Sequence, residues 1–471
     1  MIMKNFTKVI AILTLIIGLG ACAEDELLYN EETTEKSAIM ISNQKMVKKN
    51  PLAPDIVKDQ IVVEYTDKKI TKIKKDKIKE ILEDRYNFKI KKVEKCNCDN
   101  SNIELWTVNF LNPNGGVEDL VGPHDVDEDG VADLNADFQF SFFIKEKDQS
   151  IMNGYMHQLE QMVHPNTTED RVNIAVIDTG VNYDYFDTPF LYNGANDTSN
   201  CLGNEVSGWD FVNNDHDVRD DHGHGTFVSA IIRDILTQEN IPYQILPVKA
   251  FDQDGKGTYF NILCSLQYIA SKKKPFMVNC SFGFYNLKSQ IIFEKIVEEN
   301  SNNLLLMASA GNDEKNTDSD GNEHFPSGYK SDNLLAVGGY IVNSELSSVP
   351  YLGALYISGY NLAPESNYGN TSIDIVAAFD YDLTLIKGRK SNQIIYDIPL
   401  RGTSFSCPVV TARAAALYHR ANTAPRLLKS EVIASCYKDH SLRDKINNSN
   451  VMIIGNYRVP DPIGPFPWLN R

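Results

Sequence analysis

"IAVIDTGV", residues 174–181, is an apolar run that ends on a carboxylate, Asp178, followed at once by Thr and Gly. Its residues are apolar at every position up to the last, as expected of a strand buried on both faces rather than one with a wet side. The same kind of segment recurs downstream. "YQILPVKAF", "PFMVNCSFG", "NLLLMASAGN" and "NLLAVGGY" are further candidate strands, while residues 226–237, 259–271 and 289–299 carry apolar side chains at helical spacing. Apolar strands alternating with helices predict an α/β fold, a parallel sheet covered by helices on both faces. In such sheets function gathers at the carboxyl ends of the strands, where Asp178, Ser281 and Asn312 fall.

The chain has 471 residues and is 42% apolar, enough for one domain of about 250 residues or more and a smaller one. Lys4 and Lys8 precede an apolar run from Val9 to Leu19, too short to cross a bilayer as a helix but suited to an export signal. Leu19-Gly20-Ala21-Cys22 resembles the lipobox of bacterial lipoproteins. That resemblance implies a signal peptide over 1–21, lipidation of Cys22, and attachment to the outer membrane on its periplasmic or cell-surface face. Residues 22–54 are polar and lack sustained apolar periodicity, as a tether would. Without Cys22 there remain Cys96, Cys98, Cys201, Cys264, Cys280, Cys407 and Cys436, an odd number for an oxidising compartment, and most of them read as small buried hydrophobes.

Residues 55–145 form a second region. A strand at 60–65, an amphipathic helix at 74–85 and strands at 88–93 and 103–110 predict a small α+β domain. Residues 66–95 hold 12 Lys and Arg against 6 Asp and Glu, whereas residues 170–440 hold 21 against 32, so the two regions should attract each other. The basic residues are interleaved with Ile and Val, and the acidic bulk of the chain, at a net −17, would repel phosphates. Nucleic acid is therefore not an expected partner.

Asp-Thr-Gly at 178–180 could also open an aspartic protease loop, but two carboxylates would have to share a proton there, and no second Asp-Thr/Ser-Gly occurs. Other motifs point elsewhere. "DDHGHGTFVSA" holds His224 at a helix start, and "RGTSFSCPVVTARAAAL" holds Ser404 at another. A serine hydroxyl is a poor nucleophile until an imidazole takes its proton, and the imidazole needs a carboxylate to fix its tautomer. Asp178, His224 and Ser404, in that order, resemble the triad of the subtilisin-like serine proteases, and the resemblance covers about residues 170–440.

The resemblance implies a serine endopeptidase, a monomer that needs no cofactor for its chemistry, acting on peptide or protein substrates. Asn312, in "ASAGND", would hold the oxyanion, and Ser281, Gly283 and Gly257 would line the cleft into which a peptide adds as a strand. Residues 55–145 are similar in position and pattern to a subtilase propeptide, an intramolecular inhibitor. The implied peptidase domain spans 169–445, after a linker at 146–168, with a cut between about 140 and 168 and a tail at 446–471. Two alternatives share these motifs: a catalytically silent peptide-binding module, and a narrow processing protease for one exported peptide. Upstream, "DVDEDGVAD" sets Asp125, Asp127, Asp129 and Asp133 at alternate positions around Gly130, a pattern that suits a structural calcium ion, although Ala136 stands where such loops end on Glu.

Overall fold

The computed structural model describes residues 53–96, 102–144, 155–164, 170–186, 189–194, 202–287, 290–346, 355–388 and 393–453. The expected signal peptide, Cys22, the tether through residue 52, Cys98, Cys201, much of the expected linker and the tail beyond 453 lie outside them.

Six strands form the main run of the larger sheet: Val172–Asp178, Tyr243–Lys249, Phe276–Cys280, Leu304–Ser309, Leu334–Leu346 and Ile375–Ala378. They pair in parallel, in the spatial order 375, 334, 304, 276, 172, 243 by first residue. Successive side chains point to opposite faces. Ile174 and Val176 therefore pack with helices His224–Gln238, Thr403–Ala421 and Pro425–Ala434, while Ala175 and Ile177 pack with Tyr259–Ser271 and Ile292–Glu299. Leu305 and Met307 face the first layer, and Leu304 and Leu306 the second. The result is the α/β arrangement with helices on both faces. It extends beyond residue 445, because Val451 pairs with Val376 and Met452 is buried in the core.

The N-terminal region contributes five strands of a six-stranded antiparallel sheet, whose sixth strand, Lys256–Thr258, belongs to the larger domain. Strands Phe88–Lys95, Ile103–Phe110, Asp55–Tyr65, Leu134–Phe143 and Gly122–His124 lie side by side in that order. Helix Lys72–Tyr86 starts at Thr71, whose hydroxyl accepts from Lys74 N, and stops at Asn87, where φ reaches 52°. Alternation again divides the faces. Ile61, Val63 and Trp106 meet Ile78 and Leu82 of this helix, whereas Val62, Ile103 and Leu105 join the core that holds Leu263 and Phe293 of the large domain. The strand Leu134–Phe143, which the periodicity of the sequence did not single out, crosses between the two: Leu134 and Ala136 lie in the small core, Phe140 and Phe142 in the large one.

Polar contacts fix this seam. Asp137 accepts from the backbone N–H groups of Ile291 and Ile292 at 2.9 and 2.8 Å and from the Tyr259 hydroxyl at 2.7 Å. It thereby caps helix Ile292–Glu299, whose own N-cap residue, Ile291, has no side chain able to do so. Lys295 Nζ reaches Glu64 at 2.8 Å and Lys68 reaches Glu299 at 2.8 Å, so each side contributes a lysine as well as a carboxylate.

Candidate active site

Asp178 is the last residue of its strand and His224 the first of its helix. The carboxylate accepts from His224 Nδ1, with its two oxygens at 2.8 and 2.9 Å, and both side chains are fully buried. An ionised carboxylate can only accept, so Nδ1 carries the proton and Nε2 is the basic nitrogen. The helix start is pressed against the turn that follows Asp178. A Cβ on Gly225 would lie 2.2 Å from the Gly180 carbonyl oxygen, so no larger residue fits there.

Asp220 organises that junction. Its Oδ1 accepts from Thr179 Oγ1, His222 N and Gly223 N, and its Oδ2 from Thr226 N and Thr226 Oγ1, at 2.5 to 3.0 Å. The helix N-cap is Gly223, which has no side chain, so Asp220 supplies the capping oxygens from three residues upstream. Thr179 Oγ1 in turn accepts from Gly225 N at 2.9 Å, which ties the strand end to the helix.

Ser404 is the second residue of helix Thr403–Ala421, entered through Gly402 at a φ of 143° that disfavours any side chain. Pro408 lies four residues on and has no N–H to offer the Ser404 carbonyl. Ser281 Oγ donates to that carbonyl instead, at 2.8 Å. Asn279 Nδ2 donates to Ser281 Oγ at 2.8 Å, and Thr411 Oγ1 donates to Asn279 Oδ1 at 3.0 Å. The helix that carries Ser404 is thus bonded to the edge of the strand beside it. Ser404 Oγ points to the Ser281 carbonyl at 3.3 Å, and the His224 ring lies 5.5 Å from that of the adjacent Phe405.

Asn312 Oδ1 accepts from both Thr403 N and Thr403 Oγ1 at 2.9 Å. A backbone N–H cannot accept, so this atom must be the oxygen, and the amide group is turned the other way. Ser404, Asn312, Ser281 and Gly283 line one cavity of about 540 Å³. His324 closes its side: a Cβ on Gly283 would lie 2.1 Å from the His324 ring, and burial pulls that imidazole down to about 4, leaving it neutral.

The chain's own segment Ser141–Ile144 lines the same cavity. Ser141, Phe142 and Phe143 pair antiparallel with Thr258, Gly257 and Lys256, and Ile144 N donates to Gly255 O at 2.8 Å. Phe142 is held between Phe251, Phe282 and Phe284, with ring centroids 5.4 to 5.9 Å away. The expected edge at Gly257 is therefore occupied by the N-terminal region itself.

Other expectations need correction. Asp125, Asp127 and Asp133 bring ligand atoms within 4.8 Å of one another, but Asp129 turns away, its Oδ1 accepting from Val131 N at 2.9 Å. Cys96 and Cys264 are not separate buried hydrophobes: they form a disulfide across 168 residues of sequence. Cys280 and Cys407 are buried free thiols, and burial pushes Cys407, three residues from Ser404, up to about 12, which keeps it unreactive. Asp220, Asn279 and Thr411 were not anticipated as parts of the site.

Replacing Asp220 strands several buried donors, each worth about 1–3 kcal/mol when left unsatisfied. Asp220→Ala should therefore lower unfolding stability by roughly 2 kcal/mol or more in denaturant titration, and a change below about 0.5 kcal/mol would contradict this role.

A family model described as "Subtilase family" matches residues 169–454. The chain is 29% identical over 250 residues to a thermophilic serine proteinase of Bacillus sp. (strain AK1), covering 52% of this chain and 51% of that one. It is 30% identical over 155 residues to Subtilisin-like protease 1 of Plasmodium berghei (strain Anka), covering 30% of this chain and 25% of the relative. It thus spans about half the length of the first of these relatives and a quarter of the second. A solved cold adapted subtilisin-like serine proteinase is 21% identical, with a TM-score of 0.43 and coverage of 62% of this chain and 96% of that one. The family match takes in well over half of the chain and all of Asp178, His224, Asn312 and Ser404, and on that ground the protein belongs to the subtilase family.

Proposed function

We propose that this subtilase is a serine endopeptidase that is exported, lipid-anchored at Cys22 and cut free of its own N-terminal region by its own active site. The observation that carries the self-cleavage is the segment Ser141–Ile144, laid as an added strand along Gly255–Thr258 and lining the cavity that Ser404 lines, while the export and the anchor rest on the sequence around Cys22. A peptide substrate would pair with the same edge, its backbone supplying affinity.

In the proposed mechanism His224 Nε2 takes the proton of Ser404 Oγ as that oxygen adds to the scissile carbonyl carbon. Asp178 holds Nδ1–H and stabilises the imidazolium. The developing oxyanion receives hydrogen bonds from Asn312 Nδ2 and from Ser404 N–H, at a helix start whose dipole favours negative charge. The imidazolium then protonates the leaving amine as the C–N bond breaks. Water, deprotonated by the same nitrogen, hydrolyses the acyl-enzyme and restores Ser404. For this step Ser404 Oγ turns from the Ser281 carbonyl, 3.3 Å away, toward His224.

With Phe142 and Ile144 paired in the cleft, the cut falls after residue 144 and before the peptidase domain, and residues 55–144 act as inhibitor until they leave. Intact mass under reducing conditions tests this in protein extracted from membranes. The wild type should appear as two segments with the boundary between about 144 and 168, the first starting at Cys22 and carrying the mass of its lipid. Ser404→Ala should stay whole. A whole wild type, or a variant that is cut as well, contradicts self-processing, and a Cys22 without added mass contradicts the anchor.

The same proposal includes a structural calcium ion on Asp125, Asp127 and Asp133. Asp125 Oδ1 is buried without a hydrogen-bond partner, and ligand oxygens of Asp125, Asp127 and Asp133 lie within 4.8 Å of one another. Calcium at millimolar concentration should raise the melting temperature of Ser404→Ala protein by a few degrees, as expected for a ligand in excess of its Kd. An Asp125→Asn/Asp127→Asn variant should lose that response, and an unresponsive parent protein would remove the ion from the account.

A further inference from the structure

The disulfide joins two regions that the proposed cut would separate. Cys96 directly follows the strand Phe88–Lys95 of the N-terminal sheet, and Cys264 sits in helix Tyr259–Ser271 of the peptidase. That helix begins immediately after Lys256–Thr258, the strand that pairs with Ser141–Phe143. One short stretch of the peptidase therefore holds the N-terminal region twice, by a strand in the cleft and by a covalent bond.

We infer that the Cys96–Cys264 bond makes residues 55–144 a covalently retained part of the matured molecule, so that the cut alone does not release the inhibitor and a thiol reductant is its releasing agent. The inference rests on the self-processing reading for the cut, and on the disulfide alone for the retention.

Three observations support it. Both cysteines are almost wholly buried, at 5% and 2% exposure, so a thiolate cannot attack the bond until the seam opens. The seam itself is a shared core in which Val62, Ile103, Leu105, Phe140 and Phe142 pack with Leu263, Leu266 and Phe293, reinforced by the Asp137 cap. Finally, an inhibitor tied to its target rebinds at an effective concentration in the millimolar range, which keeps the cleft filled whatever the dilution. The chemistry of release is a two-electron exchange. Two thiols of the reductant lose their protons and are oxidised to a disulfide, while the Cys96–Cys264 bond is reduced to two thiols.

The cut can be supplied from outside, which frees the test from self-processing. A recognition sequence for a site-specific protease is inserted between Lys147 and Asp148 in the Ser404→Ala protein, which is then digested. Under denaturing, non-reducing conditions the product should run as one species with the mass of the uncut chain plus one water, and a dithiol should split it into two. In Cys96→Ser and in Cys264→Ser the halves should separate without reductant. Halves that separate in the parent overturn the inference, and a link that persists in either single variant overturns the assignment of the pair. In wild-type protein that has cut itself, incubation with a dithiol should raise peptide hydrolysis by at least about tenfold, and the Cys264→Ser protein should show no such rise. A wild type that never cuts itself defeats the self-processing reading and leaves the engineered cut to judge the tether. Activity that does not respond to dithiol overturns the role in release.

Discussion

A parallel sheet buried on both faces has no room for chemistry along its length, and this constraint organises the molecule. The strands Val172–Asp178, Tyr243–Lys249, Phe276–Cys280 and Leu304–Ser309 are each flanked by two apolar layers, so polar groups are pushed to the strand ends. Asp178 and Asn312 lie at or just beyond such ends, and His224 and Ser404 lie at the starts of the helices that pack on them. Asn279 is an exception that shows the rule. Buried within its strand, it satisfies its amide with Ser281 Oγ and Thr411 Oγ1, and thereby ties the sheet to the helix Thr403–Ala421.

Two small backbone irregularities give that tie its purpose. Pro408 removes the N–H that would have served the Ser404 carbonyl, and Gly402 lets the chain enter the helix at a positive φ. The first leaves an acceptor for Ser281, and the second brings the backbone close to Asn312, since a Cβ on Gly402 would come within 3.2 Å of Asn312 Nδ2. Ser404, Asn312 and the edge of the cleft are therefore set by one connected group of hydrogen bonds. On the other side Asp220 does the same for His224, a buried carboxylate whose oxygens are saturated by donors from both the strand turn and the helix start.

Much of this could be read from the chain. The resemblance of three motifs to those of the subtilases singled out Asp178, His224 and Ser404, and a fourth motif Asn312, while apolar periodicity located five of the six parallel strands of the main sheet. Three of the missed features depend on partners distant in sequence. Asp137 caps a helix that begins at Ile292, Cys96 pairs with Cys264, and the strand Leu134–Phe143 alternates into two different cores, which blurs its pattern. Asp220 and Asn279 did leave local signals, a carboxylate just before a helix start and an amide inside an apolar strand. Asp129 was misjudged because position in a loop does not fix direction, and its side chain serves Val131 N instead.

If Ser404 is an activated nucleophile whose cleft is held by the chain's own N-terminal region, its reactivity depends on whether that region is in place. The most direct measurement is labelling by a fluorophosphonate, mapped to a residue by peptide mass, in wild-type protein before and after the 55–144 segment has been removed. The account predicts slow labelling beforehand and rapid labelling of Ser404 afterwards, abolished in His224→Ala. Rapid labelling of the uncut protein would contradict the inhibitory strand, and absence of label on Ser404 in the freed, folded peptidase would contradict the activated nucleophile itself.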